Sequence, residues 1–113
     1  MIYIYAFAAS NSQSGTYKQN AYRLYVSCSD TTVYASMSWS GTQYKVMAKA
    51  QVSYLNRTTG SWLGGSMKSS DKQLKYASIS VTVPYGAVAE YGCGYGLIND
   101  IYFVNGIYAY PGR

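Results

Sequence analysis

Tyr22-Arg23-Leu24-Tyr25-Val26-Ser27-Cys28-Ser29-Asp30-Thr31-Thr32-Val33-Tyr34-Ala35-Ser36-Met37-Ser38-Trp39 decides the fold. Apolar and polar residues alternate on both sides of Asp30-Thr31. A period of two belongs to a half-buried strand, and Asp30-Thr31 reads as a two-residue turn. Around that turn Cys28 falls opposite Val33, Val26 opposite Ala35, Leu24 opposite Met37 and Tyr22 opposite Trp39. All of these side chains then lie on one face. A slip of one residue would turn one strand's apolar set into water, so the register is well specified.

The rhythm continues outward. Ser40-Gly41 reads as a second short turn, after which Tyr44, Val46, Ala48, Ala50, Val52 and Tyr54 share a face. With that turn Met37 falls opposite Tyr44, Ala35 opposite Val46 and Val33 opposite Ala48, which predicts a three-stranded meander. Residues 57–60 make the next turn, followed by Trp62-Leu63. Residues 64–72 are rich in Gly, Ser and Lys and read as an exposed loop. Ala77, Ile79, Val81 and Val83 mark a further strand, with Tyr76, Ser78, Ser80 and Thr82 on its other side and Pro84 at its end.

Towards the end, Tyr91, Cys93, Tyr95 and Leu97 alternate with Gly92, Gly94 and Gly96. The glycines leave a groove on which rings from a neighbouring strand can lie. Asn105-Gly106 is the strongest hairpin signal and places the final turn, with Asn99-Asp100 as the competing site. At the start, residues 1–9 alternate as a first strand. Ala6-Phe7-Ala8 matches the end of a signal peptide, but a basic leader and a full apolar stretch are missing. No helical period is present and no apolar run has transmembrane length. These features predict one all-β domain over residues 1–113. Its architecture is an antiparallel β-sandwich, Greek-key or meander-rich, of about seven to nine strands. A small closed β-barrel is the alternative.

Composition narrows the chemistry. The chain holds 15 tyrosines, two phenylalanines and no histidine, which removes histidine-based nucleophile systems and histidine-ligated metal sites. Charged residues are 12 %, about half the usual share, as in many exported proteins. The formal net charge is +5, and Lys18, Arg23, Lys45, Lys49 and Arg57 face only Asp30 in the first 57 residues. The acids are Asp30, Asp71, Glu90 and Asp100; Glu90 and Asp100 are the pair most able to approach, across the final strands. Turn and surface roles account for all four, so no catalytic residue, metal site or cofactor is assigned. Gly92-Cys93-Gly94-Tyr95-Gly96 lacks the Lys-Ser/Thr of a phosphate loop. Asn56-Arg57-Thr58 matches a glycosylation triplet of a kind common by chance. Cys28 and Cys93 fit neither a CxxC nor a zinc spacing; in an exported chain they are expected to form a disulfide.

Cys28, Trp39 and Tyr91-Gly92-Cys93 follow the order of the immunoglobulin fold, and the chain resembles that family at these residues alone. The resemblance implies a sandwich with a cysteine staple. It stops at Asp30-Thr31, which is too short to carry the chain between sheets, and after Trp39, where a turn replaces a continuing strand. The composition is also similar to that of small exported Gram-positive bacterial proteins.

One constellation carries a binding expectation. The outward positions of the predicted meander gather Arg23, Tyr25, Tyr34, Lys45 and Lys49, a face of rings and bases suited to sugars or phosphates. Tyr102, Tyr108 and Tyr110 form a second aromatic candidate. The expected function is a secreted or cell-surface, non-enzymatic module that binds a glycan or cell-envelope polymer. The alternatives are a small cationic exported toxin, bacteriocin-like, acting at an anionic envelope, or a nucleic-acid binder through the basic aromatic face. Edge strands this poor in charge can also pair between chains, giving a homodimer.

Overall fold

The computed structural model describes residues 9–112. It contains β1 (Ser10–Tyr17), β2 (Asn20–Cys28), β3 (Thr32–Trp39), β4 (Lys45–Asn56), β5 (Trp62–Ser69), β6 (Gln73–Leu74), β7 (Tyr76–Thr82), β8 (Ala87–Ile98) and β9 (Ile101–Ala109). No helix occurs among the described residues. The strands form two antiparallel sheets. Sheet I runs β1-β2-β3-β7, and sheet II runs β5-β4-β8-β9 with β6 also paired to β4. The result is a β-sandwich and not a closed barrel. The first strand and leader readings over residues 1–8 lie outside the described residues.

Residues 22–39 fold in the register their alternation dictates. Cys28 pairs with Val33, Val26 with Ala35, Leu24 with Met37 and Tyr22 with Trp39. Ser29 N donates to Thr32 O across Asp30-Thr31. The apolar sets of β2 and β3 are buried, from Leu24 and Val26 to Val33, Ala35 and Met37.

The meander does not extend to β4. Both edges of β3 are occupied, by β2 and β7, so β4 has no place beside it. Residues 40–44 instead cross to sheet II, where β4 pairs with β5, β6 and β8. Aromatic packing holds this crossing. Trp39 and Tyr44 stack at 6.1 Å with planes 14° apart. Gly41 lies so close to the indole that a Cβ there would sit 2.4 Å from Trp39 Cζ2. Tyr17 and Phe103, 4.6 Å apart, close the same end of the core, and the Trp39 indole donates to Tyr17 O.

Other expectations shift for local reasons. The turn between β8 and β9 is Asn99-Asp100, both residues left-handed (φ 55° and 63°), as a type I′ hairpin turn requires. Asn105-Gly106 lies inside β9. Tyr95 pairs with Asn105 and Gly94 with Ile107, so Gly106 (φ 96°) is the extra residue of a β-bulge. Residues 62–69, expected mostly as loop, form edge strand β5, whose largely exposed residues pair with β4 through the backbone.

The glycine face of β8 turns into the core. It receives aliphatic side chains of the facing sheet, not rings of a neighbouring strand. A Cβ on Gly92 would meet Val33 Cγ2 at 2.6 Å, one on Gly94 would meet Val26 Cβ at 3.0 Å, and one on Gly96 would meet Met37 Sδ at 2.4 Å. Large residues of sheet I thus fill the space left by Ala48, Ala50 and the glycines of sheet II, as close packing demands.

Candidate functional site

The crossing after Trp39 divides the predicted binding face. Arg23, Tyr25 and Tyr34 stand on the outer side of sheet I, and Lys45 and Lys49 stand on the outer side of sheet II. The core lies between the two groups. The single five-residue cluster is therefore not formed.

What sheet I presents is mainly hydroxyl. Register places Ser10, Ser12, Ser14 and Thr16 of β1 beside Ser27, Tyr25, Arg23 and Ala21 of β2. Those in turn flank Tyr34, Ser36 and Ser38 of β3. Thr32, Tyr34, Ser36 and Ser38 then face Thr82, Ser80, Ser78 and Tyr76 of β7. Only Ala21 and Arg23 interrupt this set of Ser, Thr and Tyr. Arg23 stands with its guanidinium 5.8 Å from the Tyr25 ring centre. Tyr25 and Tyr34 lie 6.2 Å apart, and the Tyr34 and Tyr76 hydroxyls hydrogen-bond. That shared bond pushes the Tyr34 phenol up and draws the Tyr76 phenol down. A depression of about 380 Å³ opens beside Tyr25 and Tyr34, with Ser10, Ser27, Ser29 and Thr32 in its walls.

Sheet II presents the opposite chemistry. Tyr91 and Tyr95 of β8 meet Tyr102 and Tyr108 of β9 edge to face, at 5.6 Å for Tyr91–Tyr108 and 6.1 Å for Tyr95–Tyr102. Tyr110 adds a ring 6.2 Å from Tyr91. The second aromatic candidate is thus joined by two tyrosines of β8. Tyr95 Oη donates to Gln51 Oε1, and Lys49 Nζ donates to Tyr102 Oη at 2.6 Å. At the far end the Trp62 indole donates to Ser53 Oγ, which donates to Glu90 Oε1 at 2.8 Å.

Cys93 lies under these rings. It sits between Gly92 and Gly94, which face the core, so its side chain points outward, yet it is 1 % exposed. Gly106, whose positive φ of 96° favours glycine, lies beside it, and a Cβ there would be in ordinary contact at 3.5 Å from Cys93 Sγ. Burial pushes the thiol pKa up. Contact with Cys93, followed by burial, pushes the Tyr95 phenol up strongly. Cys28 points the other way, into the core from sheet I. The two cysteines are not joined in the expected disulfide, because the backbone of sheet II stands between their side chains.

The carboxylates do not converge. Asp100 is in the β8–β9 turn, paired with Lys72 at 2.8 Å. Glu90 lies ten residues back along the strand, roughly 30 Å away. No cluster of three metal-ligating side chains exists among the described residues. Sequence alternation locates the outer positions of β2, β3 and β7. It misses β1, whose Ser-Asn-Ser-Gln-Ser-Gly-Thr-Tyr carries almost no apolar signal.

No family model matches the sequence, and no curated protein or solved structure shows significant similarity to it.

Proposed function

We propose that the protein is a secreted or cell-surface binding module that holds a glycan or cell-envelope polymer on the outer face of sheet I. The observation that carries this reading is the near-uninterrupted set of Ser, Thr and Tyr hydroxyls across four strands, set around the rings of Tyr25, Tyr34 and Tyr76. Sugars are matched by this combination. Hydroxyls exchange hydrogen bonds with sugar hydroxyls, and rings cover the apolar faces of the pyranose. Near-absence of charge suits a neutral polymer, for which long-range steering is not required.

Pull-down on a panel of insoluble cell-wall polysaccharides tests the reading. At least one polymer should retain the protein, with little response to salt. Tyr25→Ala and Tyr34→Ala should each weaken retention about tenfold, equivalent to roughly 1.4 kcal/mol. No retention on any polymer, or retention indifferent to both substitutions, would remove it.

A second reading, action at an anionic envelope, rests on one end of the sandwich. Lys18, Lys45, Lys72 and Lys75 gather there near Leu74 and Ile101, which are 53 % and 51 % exposed. Binding of this kind weakens steeply with salt, so the salt response separates the two. The nucleic-acid reading loses the clustered basic face that motivated it.

A further inference from the structure

We propose that a second copy of this chain packs, by a two-fold axis, on the outer face of sheet II. Composition is the first observation. Tyr108 is 50 % exposed, Tyr102 45 %, Met67 48 % and Trp62 67 %, all on one sheet surface. Exposed aromatic and methionine side chains with few charges are the signature of the centre of a protein interface. Size is the second. Four strands, the longest of 12 residues, span roughly 700 Å² at ordinary strand spacing and rise. A stable interface takes about 800 Å² from each partner.

Charge placement selects the occupant. Lys49 stands within the aromatic patch towards one end, between the levels of Tyr102 and Tyr108, with Lys45 farther out on the same strand, and Glu90 stands towards the other end, short of Trp62. Lys49 and Ser53, the residue that holds Glu90, are four positions apart on β4, roughly 13 Å. The two charges cannot meet within one copy, and neither is in an ion pair among the described residues. Gln51 and Cys93, paired across β4 and β8, lie midway. A two-fold axis through that midpoint carries each Lys49 onto the Glu90 of the other copy. The patch is therefore complementary to itself, the requirement for an isologous dimer. The contact is face to face, not through the edge strands that the sequence suggests.

Sedimentation velocity on the intact chain tests this. The wild type should sediment as a dimer of 12.4 kDa chains. Lys49→Glu and Glu90→Lys alone should each raise the dimer dissociation constant more than tenfold, and the double exchange should restore it. Tyr108→Lys, at an exposed ring, should abolish the dimer while circular dichroism remains native. A monomer at every concentration would overturn the proposal, as would a dimer indifferent to the single exchanges. Failure of the folded double variant to recover would also overturn it. A monomer that binds polysaccharide, and loses it on Tyr108→Ala, would assign the face to a glycan and overturn it equally.

Discussion

The two outer faces of the sandwich are built on the same plan and end in opposite chemistry. Sheet I turns outward hydroxyls and the rings of Tyr25, Tyr34 and Tyr76. Sheet II turns out five tyrosines, a tryptophan and two methionines, and hides a thiol beneath them. Their inner faces follow one rule, with large aliphatic residues on one sheet set into alanines and glycines on the other. Folding fixes the inner faces, because every deviation there meets a packed neighbour. It leaves the outer faces open.

The sharpest way to break the contrast is to place the same charge on each face. Cys93→Asp puts a carboxylate under the rings of sheet II and should cost about 3–5 kcal/mol, as for an uncompensated buried charge. Ser80→Asp, outward on sheet I, should stay within about 0.5 kcal/mol. Urea melts of both variants read the difference; equal losses would mean that Cys93 is not covered. The inner faces give the next effect. Gly92→Ala drives a Cβ between the two methyls of β-branched Val33, which cannot rotate both away, and should cost roughly 1–3 kcal/mol. Gly96→Ala meets the flexible end of Met37 and should cost less in the same assay. Tyr95→Phe removes the bond to Gln51 and should cost about 1 kcal/mol. The smallest effect is spectroscopic. Tyr34→Phe removes the partner that draws the Tyr76 phenol down, so ultraviolet titration should show Tyr76 ionising at higher pH than in the wild type.

The hairpin of β2 and β3 was legible because burial on one face and a two-residue turn constrain the same register. The crossing after Trp39 was not. Val46, Ala48 and Ala50 keep the parity of Met37 and Ala35, and parity is the same whether a strand continues a sheet or starts the facing one. Only the claim of β7 on the edge of β3 separates the two cases, and β7 lies more than 35 residues later. That one ambiguity carried Lys45 and Lys49 to the wrong side of Arg23, Tyr25 and Tyr34. β1 was invisible because an edge strand held by backbone bonds needs no apolar residues. Alternation grouped Cys93 with Tyr91 and Tyr95 opposite the glycines, but the expected staple to Cys28 turned that group toward the core; its burial on the outer face rests on the neighbouring strand β9, which no local pattern announces. The sandwich class, in contrast, follows from alternation alone.

A dimer formed through sheet II would leave two sheet I faces looking away from each other, an arrangement able to bridge two polymer strands. The proposed division of labour between the faces is tested most directly by residue-resolved amide shifts. A soluble oligosaccharide, cut from whichever polymer retains the protein, is titrated into the labelled chain. Shifts concentrated on β2, β3 and β7 around Tyr25, Tyr34 and Tyr76, with β8 and β9 unmoved, are the predicted result. Shifts centred on Tyr95, Tyr102 and Tyr108 would contradict it.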